Sequence, residues 1–382
     1  MKQLVVIFTL WLAWMPVGAQ KTLTLEECLK LGIENNLSLE GSRNEMRKAK
    51  HLLSENRAKL WPQISAVAGF NDNFNPPVSV TDGSAYGNLY NVTKTLQYNA
   101  SAGLQLQMPL YNQTVYTAVD IARTLNELNR LSYEKAREDL MMQISKMYYL
   151  GQNTMEQLTL IQENMVRLRE LRDITLAFFD NGMAMEVDVK RVNINLENQQ
   201  VQYDNAKSML VQQLNLLKYV MDYPADEEIT LTPVDTERMQ SASLTGLRGD
   251  LYELQLLQSQ EKLAGQQKDL IRQGYLPSLT LTGSWMYSAY TDKARHWFHS
   301  GPSNHWYPST GLGITLRVPI FDGFDKRARI RKAQIDQENA RLNYENTLKN
   351  MQTQYLNATN ELMNNQRNFK KQKDNYLLAE EV

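Results

Sequence analysis

No proline interrupts the chain from residue 110 to residue 223, and only Gly151 and Gly182 bring glycine into that stretch. Proline removes a backbone donor and clashes with the turn before it. So long a run without one, rich in Leu, Gln, Asn, Glu, Lys and Met, predicts very long helices rather than packed layers. A helix from about Gln113 to Phe179 would extend for about 100 Å at 1.5 Å per residue, more than a compact domain spans. Positions step by four and three along it: Leu140, Ile144, Met147, Gly151, Thr154, Leu158, Ile161, Met165 and Leu168. The next stretch does the same with Val189, Val192, Leu196, Gln199, Tyr203, Ala206, Leu210, Gln213, Leu217 and Val220. Each series draws one narrow seam, the pattern of helices lying side by side as coiled coils. Between them Asp180, Asn181 and Gly182 break the pattern, and Gly182 can take the left-handed conformation that ends a helix. The two helices therefore form a hairpin with its tip there.

Four other segments alternate with period two, as strands with one apolar face do. Ile64, Ala66, Ala68 and Phe70 alternate with Gln63, Ser65, Val67 and Gly69, and Ala102, Leu104, Leu106 and Met108 with Ser101, Gly103, Gln105 and Gln107. Leu279, Leu281 and Trp285 stand against Thr280 and Thr282, and Leu312, Ile314, Leu316 and Val318 against Gly311, Gly313, Thr315 and Arg317. The punctuation repeats too. Trp61-Pro62-Gln63-Ile64 answers Leu276-Pro277-Ser278-Leu279, and Met108-Pro109-Leu110-Tyr111-Asn112 answers Val318-Pro319-Ile320-Phe321-Asp322. The chain is a tandem duplication of a strand pair and long helices.

Lys2, the apolar run Leu4 to Met15 and the small residues Val17-Gly18-Ala19 make a signal peptide with cleavage expected before Gln20. An exported chain whose strands are apolar on one face and small or polar on the other suits a membrane barrel. Outside the leader the tryptophans are Trp61, Trp285, Trp297 and Trp306, all in or beside the strand pairs, as the aromatic girdles of membrane proteins require. A soluble sandwich would also alternate, and alternation alone leaves both open. Four strands cannot stand alone in lipid, because open edges leave backbone groups unpaired at several kcal/mol each. Two copies would give a narrow, filled eight-stranded barrel and three a twelve-stranded one with room for a lumen, so a homotrimer is expected. Candidate lumen-lining residues are Ser65, Gly69, Ser101, Gly103, Gln105, Gly311, Gly313, Thr315 and Arg317.

Several motifs resemble the outer-membrane efflux protein family, the TolC-type channel-tunnels. They are Leu23-Thr24-Leu25-Glu26-Glu27-Cys28-Leu29 and the residues after it, Arg248-Gly249-Asp250-Leu251, Gly274-Tyr275-Leu276-Pro277-Ser278-Leu279, and Val318-Pro319-Ile320-Phe321-Asp322-Gly323. The resemblance covers nearly all of the mature chain. It implies a mainly α protein with membrane β: a trimeric α/β barrel in the outer membrane of a Gram-negative cell, twelve strands from three chains, continued by coiled-coil helices in the periplasm. It further implies the channel of a tripartite efflux or type I secretion system, with outer-membrane lipid, a periplasmic adaptor protein and an inner-membrane RND or ABC transporter as partners. The family's adaptor-docking tip carries Gly followed by an apolar residue, which matches Gly182 and Met183, flanked by Asn181 and Ala184.

The expected layout is a signal peptide (1–19), a periplasmic helix (20–60), a first strand pair with outer loop (61–111), a helical hairpin (112–222) and an equatorial connector (223–249). A second-repeat helix (250–275), a second strand pair with outer loop (276–321) and a long helix (322–382) follow. Matching Leu131-Ser132-Tyr133-Glu134 to Leu342-Asn343-Tyr344-Glu345 makes Val382 the counterpart of Leu171, so the last helix is expected to stop short of a second tip. An exported coiled-coil structural or adhesive envelope protein without a pore is the alternative that the helices by themselves would allow.

No chemistry of bond making is written in the chain. His296, His299 and His305 lie near Asp292, but their spacing matches no metal motif, and Gly311-Leu312-Gly313 lacks the third glycine of a nucleotide fingerprint. Neither a catalytic constellation nor a cofactor site is expected. The formal net charge of -1 argues against nucleic acid as a partner, and the lone Cys28, with no lipobox before it, reads as a small buried helix residue. One basic run, Lys326, Arg327, Arg329, Arg331 and Lys332, follows the last strand and is either a solvated helix face or a ring at the barrel mouth.

Overall fold

The computed structural model describes residues 21–82, 90–234, 251–292 and 306–381. The expected signal peptide, most of the connector, Arg248-Gly249-Asp250, Trp297 and the three histidines His296, His299 and His305 lie outside the described residues. In chain order the elements are β1 (Lys21–Leu23), α1 (Leu25–Asn35), α2 (Leu37–Ala58), β2 (Gln63–Asp72), β3 (Val78–Asp82), β4 (Tyr90–Lys94) and β5 (Tyr98–Tyr111). Then follow α3 (Gln113–Asp180), α4 (Glu186–Met221), β6 (Ile229–Leu231), α5 (Tyr252–Gln273), β7 (Ser278–Thr291), β8 (Trp306–Arg317) and α6 (Asp325–Glu381). Helix α3 is one uninterrupted element of 68 residues, about 100 Å long. Among the described residues no helix is long and apolar enough to cross a membrane.

The chain divides into two compact units, one of Met1–Met46, Asn129–Leu256 and Asn346–Val382, the other of Arg47–Leu128 and Leu257–Glu345. The first unit has its core around Leu23, Cys28, Leu140, Ile144, Tyr148, Leu217, Met221 and Leu231. Helix α1 enters it through a capping box: Glu27 N–H donates to Thr24 Oγ1 at 3.2 Å, and Thr24 N–H donates to Glu27 Oε2 at 2.8 Å. The Thr24 backbone N–H first, and then the Thr24 hydroxyl, which donates to the same Oε2 at 3.0 Å, hold the Glu27 carboxyl below the usual carboxylate range. Strand β1 pairs parallel with β6, Leu23 opposite Leu231. Tyr148 ties that pair to α3, donating to the Leu23 carbonyl at 3.2 Å and sharing a 2.5 Å hydrogen bond with Thr232 Oγ1, while Gln152 Nε2 donates to the Thr232 carbonyl at 2.6 Å. Such short elements persist because both the backbone and the buried polar atoms are satisfied. Farther along, Ile161 and Met165 of α3 meet Ala206 of α4, with Leu158, Leu196 and Tyr203 around them. These are seam positions of the sequence, so α3 and α4 lie together along their stepped faces.

The second unit carries a four-stranded sheet in the order β2-β5-β7-β8, antiparallel throughout. Strands β3 and β4 form a separate antiparallel ribbon, Val80 opposite Val92. Polar contacts tie the helices leaving the sheet. Thr117 Oγ1 donates to Gln273 Oε1, Lys268 Nζ donates to Gln337 Oε1 at 2.8 Å, and Gln258 Nε2 donates to Tyr344 Oη at 3.2 Å. At the start of α6, Asp322 accepts from Phe324 N–H at 3.1 Å and Lys326 N–H at 3.3 Å, and Lys326 Nζ returns to it at 3.0 Å. The first member of the basic run is thereby a helix-capping partner, and Arg329 is held by Asp325 at 3.6 Å.

Candidate functional sites

Register sorts the sheet into two faces, since directly opposed residues share a face and neighbours along a strand alternate. Ser65, Gln105, Ser284 and Gly311 form one cross-sheet row, and Gln63, Gln107, Thr282 and Gly313 another. Gly69 and Ser101 oppose Ser288, Gly103 opposes Val67 and Met286, Thr315 opposes Thr280, and Arg317 opposes Ser278. All nine lumen candidates therefore lie on the same face. The lumen candidates read from the sequence did not include Gln107, Thr282, Ser284 or Ser288, which share it, although Gln107 and Thr282 stood on the polar side of their alternations. Ser65, Gln105, Thr282 and Ser284 help line a depression in the sheet. At Gly103 the space is not open: an added Cβ would lie 2.6 Å from Met286 Sδ and 2.2 Å from the Trp285 carbonyl oxygen.

The other face carries the row Ile64, Leu106, Gly283 and Leu312, the neighbouring Leu104 opposite Trp285, and Leu281 opposite Ile314. Ile64, Leu312 and Ile314 are exposed. Trp285 packs edge-on to Tyr287 at 5.7 Å between ring centroids, and Trp61 and Trp306 stand exposed at opposite ends of the strands. An apolar face of this extent with aromatic ends matches a hydrocarbon surface rather than water. Strands β2 and β8 have no partner on their outer sides among the described residues.

The hairpin tip is a Schellman motif. Gly182, at φ +72°, donates its N–H to the Phe179 carbonyl at 2.9 Å, and Met183 N–H reaches back to the Phe178 carbonyl at 2.8 Å. Asn181 Nδ2 donates to the Ala177 carbonyl at 2.7 Å. Helix α4 starts as Asp188 accepts from Met185 N–H at 3.2 Å. The four tip candidates, Asn181, Gly182, Met183 and Ala184, are thus consecutive in one tight turn. Met183 and Met185 are 70% and 69% exposed, two flexible thioethers on the outside of the bend. Among the described residues no group of His, Cys, Asp or Glu is arranged to hold a metal ion.

A two-faced sheet with open edges, joined to helices far longer than a globular domain, defines a class: subunits of membrane channels that are part barrel, part helical tube. The model of the outer membrane efflux protein family matches residues 29–221 and 252–381. The chain belongs to that family. It is 23% identical over 325 residues to outer membrane protein TolC of Vibrio cholerae, a match covering 81% of this chain and 68% of that relative. It is 22% identical over 336 residues to the probable efflux pump outer membrane protein TtgC of Pseudomonas putida, covering 85% of this chain and 65% of that relative. The chain thus spans about two thirds of the length of these relatives. Its fold is that of VceC from Vibrio cholerae, with a TM-score of 0.74 at 15% identity over 94% of this chain and 83% of that one. The CmeC outer membrane channel of Campylobacter jejuni gives a TM-score of 0.61 at 19% identity over 93% and 76%.

Proposed function

We propose that the chain is one protomer of a homotrimeric outer-membrane conduit, the passive channel of a tripartite efflux or type I secretion system, leading from periplasm to exterior. The observation that carries this is the sheet: one face polar and small, the other apolar and aromatic, both edges unpaired among the described residues, in a member of the outer membrane efflux protein family. In hydrocarbon each bare N–H or C=O costs several kcal/mol, so the edges are closed by other copies, and three copies make the twelve strands that leave a lumen. The nine candidates from Ser65 to Arg317 face that lumen. Passage depends on lumen width and lining charge, and no bond is made or broken, so the chain is not an enzyme. Arg317 is the one cation among the nine and biases the permeant charge at its end of the barrel. Purified trimer in planar bilayers is expected to give discrete single-channel conductance steps. A verified trimer that stays electrically silent would overturn the open-path reading. Envelope fractionation decides against the poreless coiled-coil alternative if extraction requires detergent.

At the tip, Asn181, Gly182, Met183 and Ala184 are the docking point for the periplasmic adaptor, behind which an RND or ABC transporter in the inner membrane supplies the energy. The exposed methionines offer adaptable apolar surface on a rigid turn. Gly182→Asp is expected to reduce adaptor cross-linking at least about tenfold while trimers still form, because aspartate tolerates the left-handed conformation better than most residues and the space around Gly182 is open. Equal cross-linking in variant and parent would remove the tip from the interface.

A further inference from the structure

The strands β2, β5, β7 and β8 contain two charged residues, Asp72 and Arg317. Register separates them. Asp72 stands opposite Tyr98, on the apolar face with Phe70 and at the end of the sheet away from the helices, where Gln97 Nε2 donates to it at 3.0 Å. Arg317 stands opposite Ser278, on the polar face, at the end where the strands join the helices. The rest of that face is amide, hydroxyl and glycine with a few apolar side chains such as Val67 and Met286. Its one fixed charge is Arg317.

That charge has no structural partner. Arg317 is exposed, and no carboxylate pairs with it among the described residues. The two carboxylates that follow it along the chain are engaged elsewhere, Asp322 by Lys326 at 3.0 Å and Asp325 by Arg329 at 3.6 Å. Nor does the fold need a cation at this place. The matched motifs Met108-Pro109 and Val318-Pro319 make Gln107 the repeat of Arg317, and Gln107 lies on the same face, opposite Gln63 and Thr282. Where the first repeat holds a neutral amide, the second holds an unpaired guanidinium in an otherwise uncharged wall.

We infer that Arg317 makes the barrel select for anions: three copies of it form the only charged ring on the strand wall, and solutes bearing carboxylate, phosphate or sulfonate pass it in preference to cations. The inference rests on the reading of the chain as one protomer of a trimeric conduit, and it adds the charge of what that conduit carries best. Magnitudes decide whether such a ring can act. Twelve strands about 4.8 Å apart and tilted by about 40° put the wall about 12 Å from the axis. The arginine stem carries the charge inward from there, so at about 0.1 M salt, where the screening length is about 10 Å, every path through the ring lies within its field. At about 1 M that length is about 3 Å and the axis is screened. A guanidinium stays protonated throughout the working pH range, so the preference does not titrate away.

Reversal potentials in planar bilayers read this directly. The full-length protein, verified as a trimer by light scattering and held under a KCl gradient centred near 0.1 M, is expected to favour chloride over potassium. Arg317→Gln should lower the chloride-to-potassium permeability ratio at least about twofold. Glutamine is the residue the fold already holds at position 107, so trimers of this variant should still form. Arg317→Lys keeps the charge and should keep the ratio, whereas Arg317→Glu should turn the preference to potassium. Near 1 M the parent and Arg317→Gln should coincide. Conducting trimers in which Arg317→Gln leaves the low-salt ratio unchanged, or in which the parent favours potassium, overturn the anion preference and leave the conduit intact. Verified trimers that conduct in neither form overturn the conduit reading and this inference with it.

Discussion

Gly103→Val will cost the protein its four-stranded sheet. Valine is the better strand former, so propensity alone would forecast a gain of a few tenths of a kcal/mol or more. Close approach reverses the sign. The first added carbon would lie 2.2 Å from the Trp285 carbonyl oxygen and 2.7 Å from Met286 Cα, both backbone atoms of the neighbouring strand with nowhere to go, besides the Met286 sulfur at 2.6 Å. Relief requires β5 and β7 to separate in the middle of their ladder, so the expected loss exceeds about 3 kcal/mol, the upper end of ordinary overpacking. Gly69 is the internal control: on the same face, it offers a Cβ an ordinary contact at 3.4 Å, and Gly69→Val should stay within about 1 kcal/mol of the parent. Denaturant melts of the detergent-solubilised protein, followed by circular dichroism and by the folded-band shift on gels, measure both. Equal stability of the Gly103 and Gly69 variants would show that β5 and β7 are not this close.

That contrast marks how far the sequence could be read. Ser65, Gly69, Ser101, Gly103, Gln105, Gly311, Gly313, Thr315 and Arg317 come out on one face because a strand's period of two is strict and register only aligns what alternation has already sorted. The same logic made the seams visible: Ile144, Ile161, Met165, Ala206 and Leu217 are buried where the four-and-three stepping placed them. Gly103 was legible as small and on the polar face, but the Met286 side chain lying over it was not, because that contact depends on which strands pair. Tyr148 is fully buried although it lies off the seam, since β1, β6 and Thr232 cover a second side of α3. Three-residue strands are too short to show a period, so β1 and β6 left no signal in the chain. The β3–β4 ribbon fell inside a stretch read as loop, with only Val78, Val80 and Val92 to mark it. At the tip, Gly182 was legible because a left-handed helix end requires a residue like it, whereas the exposure of Met183 and Met185 followed only from the turn itself.

The core of the first unit yields the other large effect. Ile144 is fully buried beneath α1, and its Cδ1 lies 2.3 Å from where a Cβ on Gly32 would be. The missing side chain at Gly32 is therefore the space that Ile144 fills. Ile144→Ala is expected to destabilise this unit by about 2–5 kcal/mol, the transfer and cavity cost of such truncations. Cys28 belongs to the same cluster, and burial pushes its thiol up to about 11, so in the parent at pH 8 it reacts with alkylating reagents only through opening. Every 1.4 kcal/mol is a factor of ten in the open population, so the alkylation rate in Ile144→Ala should rise roughly 30-fold or more. The decisive arm is the pair. In Gly32→Ala with Ile144→Ala the new methyl occupies the volume vacated by Cδ1 and removes a helix glycine, so the double variant should be more stable than Ile144→Ala by about 1 kcal/mol or more, with a slower Cys28 reaction. If the double variant is no better than Ile144→Ala, α1 does not pack on α3 through this glycine.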